Sequence, residues 1–390
     1  MVYNKRPMAR RGGNRGGYRQ AMNGNLQAQM YGVAPQPVIA IYDYTLDKPK
    51  FEGSKNTMDV VFDKEIMDRA ANLTPSIEIR NRIDEYAKKV IVALKKEREE
   101  QTQSEISIGQ ISQCGSFITD TTTHSSDKSD ILIRLNGLPT HENLSDLGMK
   151  IVENMKMVDP RETGLPLATD TGFEIRSHNC KVRVLVTINP TDSEKLEPEL
   201  HLDITKLMIN SFAANHVYWF SGLKDTRPPD FMHEYLSLIR VLKDVRSRYS
   251  DFQHLSIWSL QYLAFYCLLN GPNRQKANVA TAFRRFFELL AAGIFLPKSP
   301  TLVDPTDPSH PIAFDLSYQQ RDSICQGAQT LVRIFATGND GYRAILGTQG
   351  TAADLTQTAS TWKGIEIRPS IDAYKPGCTG MYGSTATDQW

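Results

Sequence analysis

The sequence has few cysteines, and their arrangement supports no cysteine-based site. The five are Cys114, Cys180, Cys267, Cys325 and Cys378, and no two of them have the Cys-x-x-Cys spacing. An odd number of scattered thiols argues against a disulfide framework and against a zinc site, and it is typical of a reducing compartment. The eight histidines also stand singly, so we expect no metal centre built on them.

Long apolar runs are missing as well. No run approaches the roughly 20 residues that a membrane-spanning helix needs, and the N-terminus carries no apolar signal core. We therefore expect a soluble, intracellular protein. Hydrophobic residues still make up 40% of the 390-residue chain, which is enough for one large or two medium globular domains.

Acidic residues are absent from the first part of the chain. The net charge of the whole chain is only +1, but residues 1–42 contain no Asp or Glu. Within this region, residues 1–36 have almost no large apolar side chains, so we predict a disordered tail. Two Arg-Gly-Gly copies, at 11–13 and 15–17, favour weak, salt-sensitive contacts with RNA, although a purely solubilising tail is the alternative. The candidate RNA-binding residues are Arg10, Arg11, Arg15 and Arg19.

Residues 37–225 mix helical and strand patterns. Apolar residues at helical spacing predict a helix in NRIDEYAKKVIVALKKEREE, and a second helix in NLSDLGMKIVENMKMV. Short strands are predicted in DILIRL, GFEIRS, KVRVLVTI and LHLDI. The buried face of the first helix would consist of Ile83, Ala87, Val90 and Leu94.

Residues 226–370 have helical spacing alone, with glycine and proline between the helices. The two patterns together predict an α+β fold, in which a mixed-sheet lobe precedes an all-helical lobe and a cleft lies between them. Residues 371–390 are predicted to be a flexible tail.

A turn and two acidic positions suggest a nucleotide site. Nucleotidyl transfer uses two divalent ions roughly 3.5–4 Å apart, and converging carboxylates hold such ions, two of them from positions i and i+2 of one strand. Gly115-Ser116 fits the turn that approaches a triphosphate, Asp130 fits one strand carboxylate, and Asp203 in HLDITKL fits the carboxylate of a neighbouring strand. The remaining place is taken by Lys128, a cation that would compete with a metal ion rather than coordinate it.

The first lobe therefore resembles the nucleotidyltransferase superfamily, in the branch of oligoadenylate synthetases and cyclic GMP-AMP synthase. The helical lobe adds to the resemblance. LIRVLK resembles the helix that carries a triphosphate-binding lysine, which maps onto Lys243, and LVDPTDPS resembles the family's Asp-Pro-x-Asp-Pro segment.

Within that superfamily the chain resembles the DZF-domain family. The segments that carry this resemblance are DTGFEIRS, LEPELHLDI, AAGIFLP, AQTLVRI and ILGTQG, and the similarity runs from about residue 38 to about residue 370. The resemblance implies a nucleotidyltransferase fold that has lost catalytic carboxylates and works as a dimer. It also implies a nuclear protein, for which NKRPMARR is a candidate localisation signal. The implied partner is a DZF protein like nuclear factor 90, whose double-stranded-RNA-binding domains would make most of the RNA contacts. DNA is an additional candidate ligand, and no membrane contact is expected.

Three hypotheses follow from these residues. The first is an inactive subunit that forms heterodimers through its helical lobe and acts in RNA metabolism and gene regulation, with no required cofactor. The second is an active template-independent nucleotidyltransferase. The third is nucleotide binding without turnover, with ATP or another nucleoside triphosphate held by Gly115, Ser116 and Lys243, and with one magnesium ion on Asp130 and Asp203.

The dimer interface has candidates in FRRFFELLAAGIFLP, whose many apolar residues could face a partner. The alternative is a helix buried on two sides within the chain. The candidates are Phe283, Phe286, Phe287 and Leu290.

Overall fold

The protein is described here from a computed structural model. The structure describes residues 59–100, 106–197, 199–270, 275–297, 299, 302–336, 341–348, 360–362 and 365–367. The predicted disordered tail with its four candidate RNA-binding arginines, the candidate localisation signal and the predicted C-terminal tail lie outside the described residues. Among the helices of the described part, none is long and apolar enough to cross a membrane.

The described elements are mixed in the first half and helical in most of the second. The helices are α1 (Asp59–Leu73), α2 (Ile77–Glu100), α3 (Gly115–Ile118), α4 (His141–Val158), α5 (Ile204–Thr226), α6 (Pro229–Arg248), α7 (Ile257–Leu269), α8 (Val279–Ala291), α9 (Tyr318–Ala336) and α10 (Gly341–Leu346). The strands are β1 (Ser107–Cys114), β2 (Lys128–Asn136), β3 (Leu165–Thr169), β4 (Gly172–Arg176), β5 (Lys181–Ile188), β6 (Ser360–Trp362) and β7 (Ile365–Ile367). Short 3-10 turns span Pro190–Lys195 and Ser250–Phe252.

Five strands form one mixed sheet in the order β1-β2-β5-β4-β3. The central strands β2 and β5 are parallel, and the other neighbouring pairs are antiparallel. In this register Asp130 on β2 lies opposite Cys114 on β1 and opposite Arg183 on β5. The C-terminal end of β1 and the N-terminal ends of β2 and β5 therefore lie side by side at the same end of the strands.

Helices α2 and α4 pack against the sheet and form the core of the first lobe together with the strands. Helix α2 also packs against α4. The apolar face predicted from the sequence is confirmed, because Ile83, Ala87, Val90 and Leu94 are all buried. The alternating valines of β5 are Val182, Val184 and Val186, and all three are fully buried. They lie on one face of the sheet, as period-two alternation requires.

The helical lobe has a separate core, and this core includes helix α1, which precedes the sheet in the sequence. Helix α1 packs against α6 and α8. Phe62 of α1 is 1% exposed, and its ring lies edge-on to Phe283 with a centroid distance of 5.7 Å. The long helix α5 connects the lobes, since Leu207 near its start packs in the first core and Phe220 near its end packs in the second.

The candidate interface residues of α8 are not on the surface. Phe283, Phe286, Phe287 and Leu290 are each 0–2% exposed and belong to the core of the helical lobe. Helix α8 is enclosed by α1, α6, α7 and α9, so neighbouring helices bury most of its circumference. The prediction that these side chains face a partner is therefore wrong, and the alternative of a helix buried within the chain is correct.

Candidate functional site

A cavity of about 580 Å³ lies between the two lobes. The sheet lobe lines it with the start of α3, the start of β2 and part of β5, and the helical lobe lines it with α6 and α7. Five of the residues predicted for a nucleotide site line this one cavity, namely Gly115, Ser116, Lys128, Asp130 and Lys243. The structure therefore brings the two lobes' predicted residues together.

The turn between β1 and α3 depends on a glycine. Gly115 has φ +75°, a conformation that residues with a Cβ atom adopt at a cost. A Cβ atom at this position would also lie 2.2 Å from Oδ2 of Asp130. The absence of a side chain lets the turn close against β2 and places Ser116 at the cavity.

Lys243 of α6 fixes the helical lobe against this turn. Its ammonium donates hydrogen bonds to Oγ of Ser116 over 3.0 Å and to the carbonyl oxygen of Thr121 over 2.7 Å. Burial, followed by repulsion from Lys128, lowers the pKa of Lys243 to about 8. Lys243, which the resemblance assigned to triphosphate binding, is thus a partly buried cation at the predicted phosphate-binding turn.

Arg240, one turn earlier on α6, holds the loop that follows the turn. It donates hydrogen bonds to the carbonyl oxygen of Asp120 over 2.7 Å and to that of Thr122 over 3.3 Å. Arg80 of α2 binds the carboxylate of Asp120 from the other side. The loop before β2 is therefore held from both lobes.

The one predicted carboxylate at the cavity is already bound by a cation. Arg183 donates from Nε to Oδ1 of Asp130 over 2.6 Å, and Asp130 is only 6% exposed. Arg183 was not predicted as a site residue, although the pattern KVRVLVTI indicates that it points away from the valines. The valines alternate with Lys181, Arg183 and Leu185, and all three of these line the cavity.

Lys128 stands two residues before Asp130 on the same strand and lines the cavity with it. Its pKa is lowered by burial and then by the nearby Arg183. Its partner in the parallel register is Lys181. The predicted two-metal site requires a second carboxylate at position 128, and a partly buried ammonium lies there instead.

Asp203 does not reach the site. It is the N-cap of α5, where its Oδ1 accepts hydrogen bonds from the backbone N–H groups of Thr205 over 2.7 Å and Lys206 over 3.2 Å. The carboxylate is exposed and does not line the cavity. The predicted strand LHLDI is wrong, because only His201 makes a single β-bridge there. The apolar residues around Asp203 belong to a helix start, where aspartate is a preferred cap.

These side chains do not fit the two metal ions that nucleotidyl transfer requires. Asp130 is bound to Arg183, Lys128 takes one ligand position, and Asp203 is elsewhere. Across the described residues, no group of three or more His, Cys, Asp or Glu could hold a metal ion. The single magnesium ion hypothesised on Asp130 and Asp203 has no geometric basis here.

An aromatic cluster lies at the helical side of the cavity. The rings of His216 and Trp258 stack with centroids 3.8 Å apart, and both residues line the cavity. Trp258 donates from Nε1 to Asp304 over 2.6 Å, in the segment LVDPTDPS. In sequence this segment was assigned only by resemblance, and in the structure its Asp304 contacts both members of the stacked pair.

Two family models match the chain over most of its length. The DZF N-terminal domain matches residues 27–224, and the DZF C-terminal domain matches residues 234–368. The chain belongs to the DZF-domain family. The resemblance predicted from the sequence segments is confirmed.

The DZF chain is also similar to solved nucleotidyltransferase structures, which shows a nucleotidyltransferase-like fold. A crystal structure of the Cid1 poly(U) polymerase has a TM-score of 0.50 at 10% identity, over 75% of this chain and 99% of that chain. A structure of Cid1 with the UTP analog UMPNPP has a TM-score of 0.48 at 11% identity, over 72% and 95%. A structure of E. coli MS115-1 CdnC with ATP has a TM-score of 0.48 at 14% identity, over 70% and 90%.

Proposed function

We propose that this DZF protein is a catalytically inactive, nucleotidyltransferase-like subunit of an RNA-binding complex. The observation that carries the proposal is the state of the cavity's carboxylates. Lys128 takes the place of one metal ligand, and Arg183 binds the remaining one, Asp130. Stabilisation of developing charge is usually the largest catalytic contribution, and in nucleotidyl transfer two metal ions provide most of it.

The proposed complex is a heterodimer. In sequence the chain resembles nuclear factor 45 (interleukin enhancer-binding factor 2), and it has no recognisable double-stranded-RNA-binding module or zinc finger of its own. The proposed partner is a DZF protein like nuclear factor 90, which would supply most RNA contacts in nuclear RNA metabolism and transcription regulation. The Arg-Gly-Gly tail would add weak contacts.

Pairing is tested by co-expression of the full chain with a DZF protein that carries double-stranded-RNA-binding domains. Size-exclusion chromatography with light scattering should give one peak with the mass of a 1:1 complex, and this complex should bind double-stranded RNA more tightly than the chain alone. Two separate peaks, at concentrations in the micromolar range, would overturn the pairing.

Inactivity is tested by incubating the complex with an RNA primer, Mg²⁺ and labelled ATP or UTP. We expect no primer extension above the background of a blank. Extension that requires this subunit would overturn the proposal.

A second candidate function is nucleotide binding without turnover. The observation that favours it is a cation-lined cavity in which Gly115, Ser116 and Lys243 meet. Its volume of about 580 Å³ lies within the roughly 300–1,000 Å³ of ordinary small-molecule sites. Binding of ATP or another nucleoside triphosphate, measured by calorimetry, tests this candidate independently of the extension assay.

A further inference from the structure

We propose that the cavity binds a linear triphosphate group without a divalent cation, and that the ammonium of Lys128 supplies the positive charge at the vacated metal position. The inference rests on the proposed loss of the metal site. It concerns a ligand class, the triphosphate, that is shared by free nucleoside triphosphates and by RNA with a 5′-triphosphate end.

The wall of the cavity carries more cations than carboxylates. Three carboxylates face the cavity, and each of them is close to a cation. Asp130 binds Arg183 over 2.6 Å, Asp127 lies 4.0 Å from Lys181, and Asp244 binds two arginines outside the cavity wall. The cations that line the cavity are Lys128, Lys181, Arg183, Lys243 and Arg246.

Three of these cations are left over when the carboxylates are paired, namely Lys128, Lys243 and Arg246, and the guanidinium of Arg246 donates to two backbone carbonyl oxygens. In the part of the chain that the structure describes, neither Lys128 nor Lys243 lies within ion-pair distance of a carboxylate, and the described hydrogen bonds of Lys243 go to Ser116 and Thr121. Partly buried cations without a carboxylate at ion-pair distance are unfavourable on their own, and a multivalent anion would stabilise both lysines. A divalent cation in the same place would face the same two ammonium groups as an added repulsion.

The two lysines also have hydrogen-bond donors left for a ligand. An ammonium group has three donors, and Lys243 uses two of them on Ser116 and Thr121. One donor is left for a ligand, and Lys128 has all of its donors available within the described contacts. Phosphate oxygens are acceptors only, and charge-assisted bonds from ammonium groups to them are among the strongest in proteins.

The folded protein already bears the electrostatic cost of holding two ammonium groups near each other in the cavity. Burial, followed by repulsion from Lys128, lowers the pKa of Lys243 to about 8. A bound triphosphate would reverse this shift, so the free-energy cost of holding the Lys243 ammonium beside a second cation would be relieved on binding. The same cavity with carboxylates at these positions would need metal ions before it could accept a polyanion.

The test is isothermal titration of ATP into the full chain, once in EDTA and once in Mg²⁺. We expect ATP to bind in EDTA with an affinity at least equal to that in Mg²⁺, because Mg²⁺ neutralises part of the ligand charge that Lys128 would meet. Inorganic tripolyphosphate and a short RNA with a 5′-triphosphate are titrated in the same buffers. Tighter binding of ATP than of the RNA identifies the free nucleotide as the ligand, and the reverse order identifies the RNA end; either order supports the proposal.

The matched variants are Lys128→Gln and Lys195→Gln, which remove the same charge inside and outside the cavity. Lys195 is on the surface, where its side chain is 65% exposed and pairs with Asp192. Loss of one charge-assisted contact should weaken binding in EDTA at least about tenfold for Lys128→Gln, with no change for Lys195→Gln. Lys128→Arg should restore most of the affinity, and equal melting temperatures verify that the variants are folded.

Three results would overturn the inference. They are binding that requires Mg²⁺, equal effects of the two glutamine variants, and no binding of any triphosphate. None of them affects the proposal of inactivity, which the primer-extension assay decides separately.

Discussion

Arg183 donates a hydrogen bond to Asp130 over 2.6 Å, between paired residues of two parallel strands at the centre of the sheet. The bond places a guanidinium against the only predicted metal-binding carboxylate that reaches the cavity. It therefore serves both the electrostatics of the site and the packing of the strand ends, and the two roles are separable by mutation.

Arg183→Gln should destabilise the protein by about 1–2 kcal/mol. Removal of one partner from a buried pair leaves an uncompensated charge, but the Arg183 side chain is 34% exposed, so solvent screening reduces the cost. Urea unfolding measures the change. In the double variant with Asp130→Asn the loss should be smaller than the sum of the two single losses by about 1 kcal/mol; strict additivity would show that the bond contributes nothing.

Gly115→Ala should be more disruptive than an ordinary glycine substitution. The new Cβ atom would meet Asp130 at 2.2 Å in a backbone with φ +75°, and we expect a loss of stability of at least about 2 kcal/mol. Gly222→Ala in α5 is the control, because nothing lies within 4 Å of the added Cβ atom. That change should stabilise the helix by up to about 1 kcal/mol. Similar effects of the two substitutions on thermal unfolding would contradict the described turn.

The depressed pKa of Lys243 predicts a pH dependence of stability. Between pH 8 and the ordinary lysine pKa of 10.5, the unfolded chain binds a proton at this residue that the folded chain does not. The contribution of Lys243 to the free energy of unfolding therefore rises with pH across that window. The destabilisation that its partly buried charge causes is fully present below pH 8. The charged groups that act on Lys243 are Lys128, Asp130, Arg240 and Arg246.

The measurement compares the free energies of unfolding of the wild type and of Lys243→Met at pH 7.5 and pH 10. Titration of residues that do not interact with Lys243 cancels in the difference. We expect the wild type to gain on the order of 2 kcal/mol relative to the variant as the pH rises. A constant difference would mean that Lys243 titrates as in water.

Helix α1 should be essential to the helical lobe despite its place before the sheet. Phe62→Ala removes a ring that is 1% exposed and that lies 4.4 Å from the ring of Tyr342 between centroids. We expect a loss of about 3–5 kcal/mol. Val60→Ala on the same helix, at a side chain 81% exposed, should change stability by less than about 0.5 kcal/mol. Equal effects in denaturant unfolding would place α1 outside the core.

The sequence predicted those parts of the fold that local patterns determine. Alternating valines identify β5 and apolar spacing identifies α2, because each pattern has one period and one buried face. The placement of α1 depends on contacts between residues more than 100 positions apart along the chain, which no local pattern contains. The bulky residues of α8 indicated burial, but apolar spacing alone does not distinguish a core from an interface.

The site was predictable in part, for similar reasons. Gly115, Ser116, Asp130 and Lys243 stand in motifs, and the structure brings them to one cavity. Asp203 was wrongly predicted on a strand because an aspartate between apolar residues fits both a strand and a helix cap. In the structure it caps α5, because its carboxylate accepts a hydrogen bond from a backbone N–H group of that helix. Arg183 was missed because its role is set by the register between β2 and β5 rather than by its own neighbours.

The most direct test of the central claim is primer extension by the full chain in complex with the proposed DZF partner, with Mg²⁺ and with labelled ATP and UTP in separate reactions. An active poly(U) polymerase serves as the positive control, and Asp130→Asn is the matched variant. The account predicts no extension by the wild type or by the variant. Mg²⁺-dependent extension by the wild type that Asp130→Asn abolishes would contradict it, because it would show that the carboxylate bound to Arg183 still holds a catalytic metal ion.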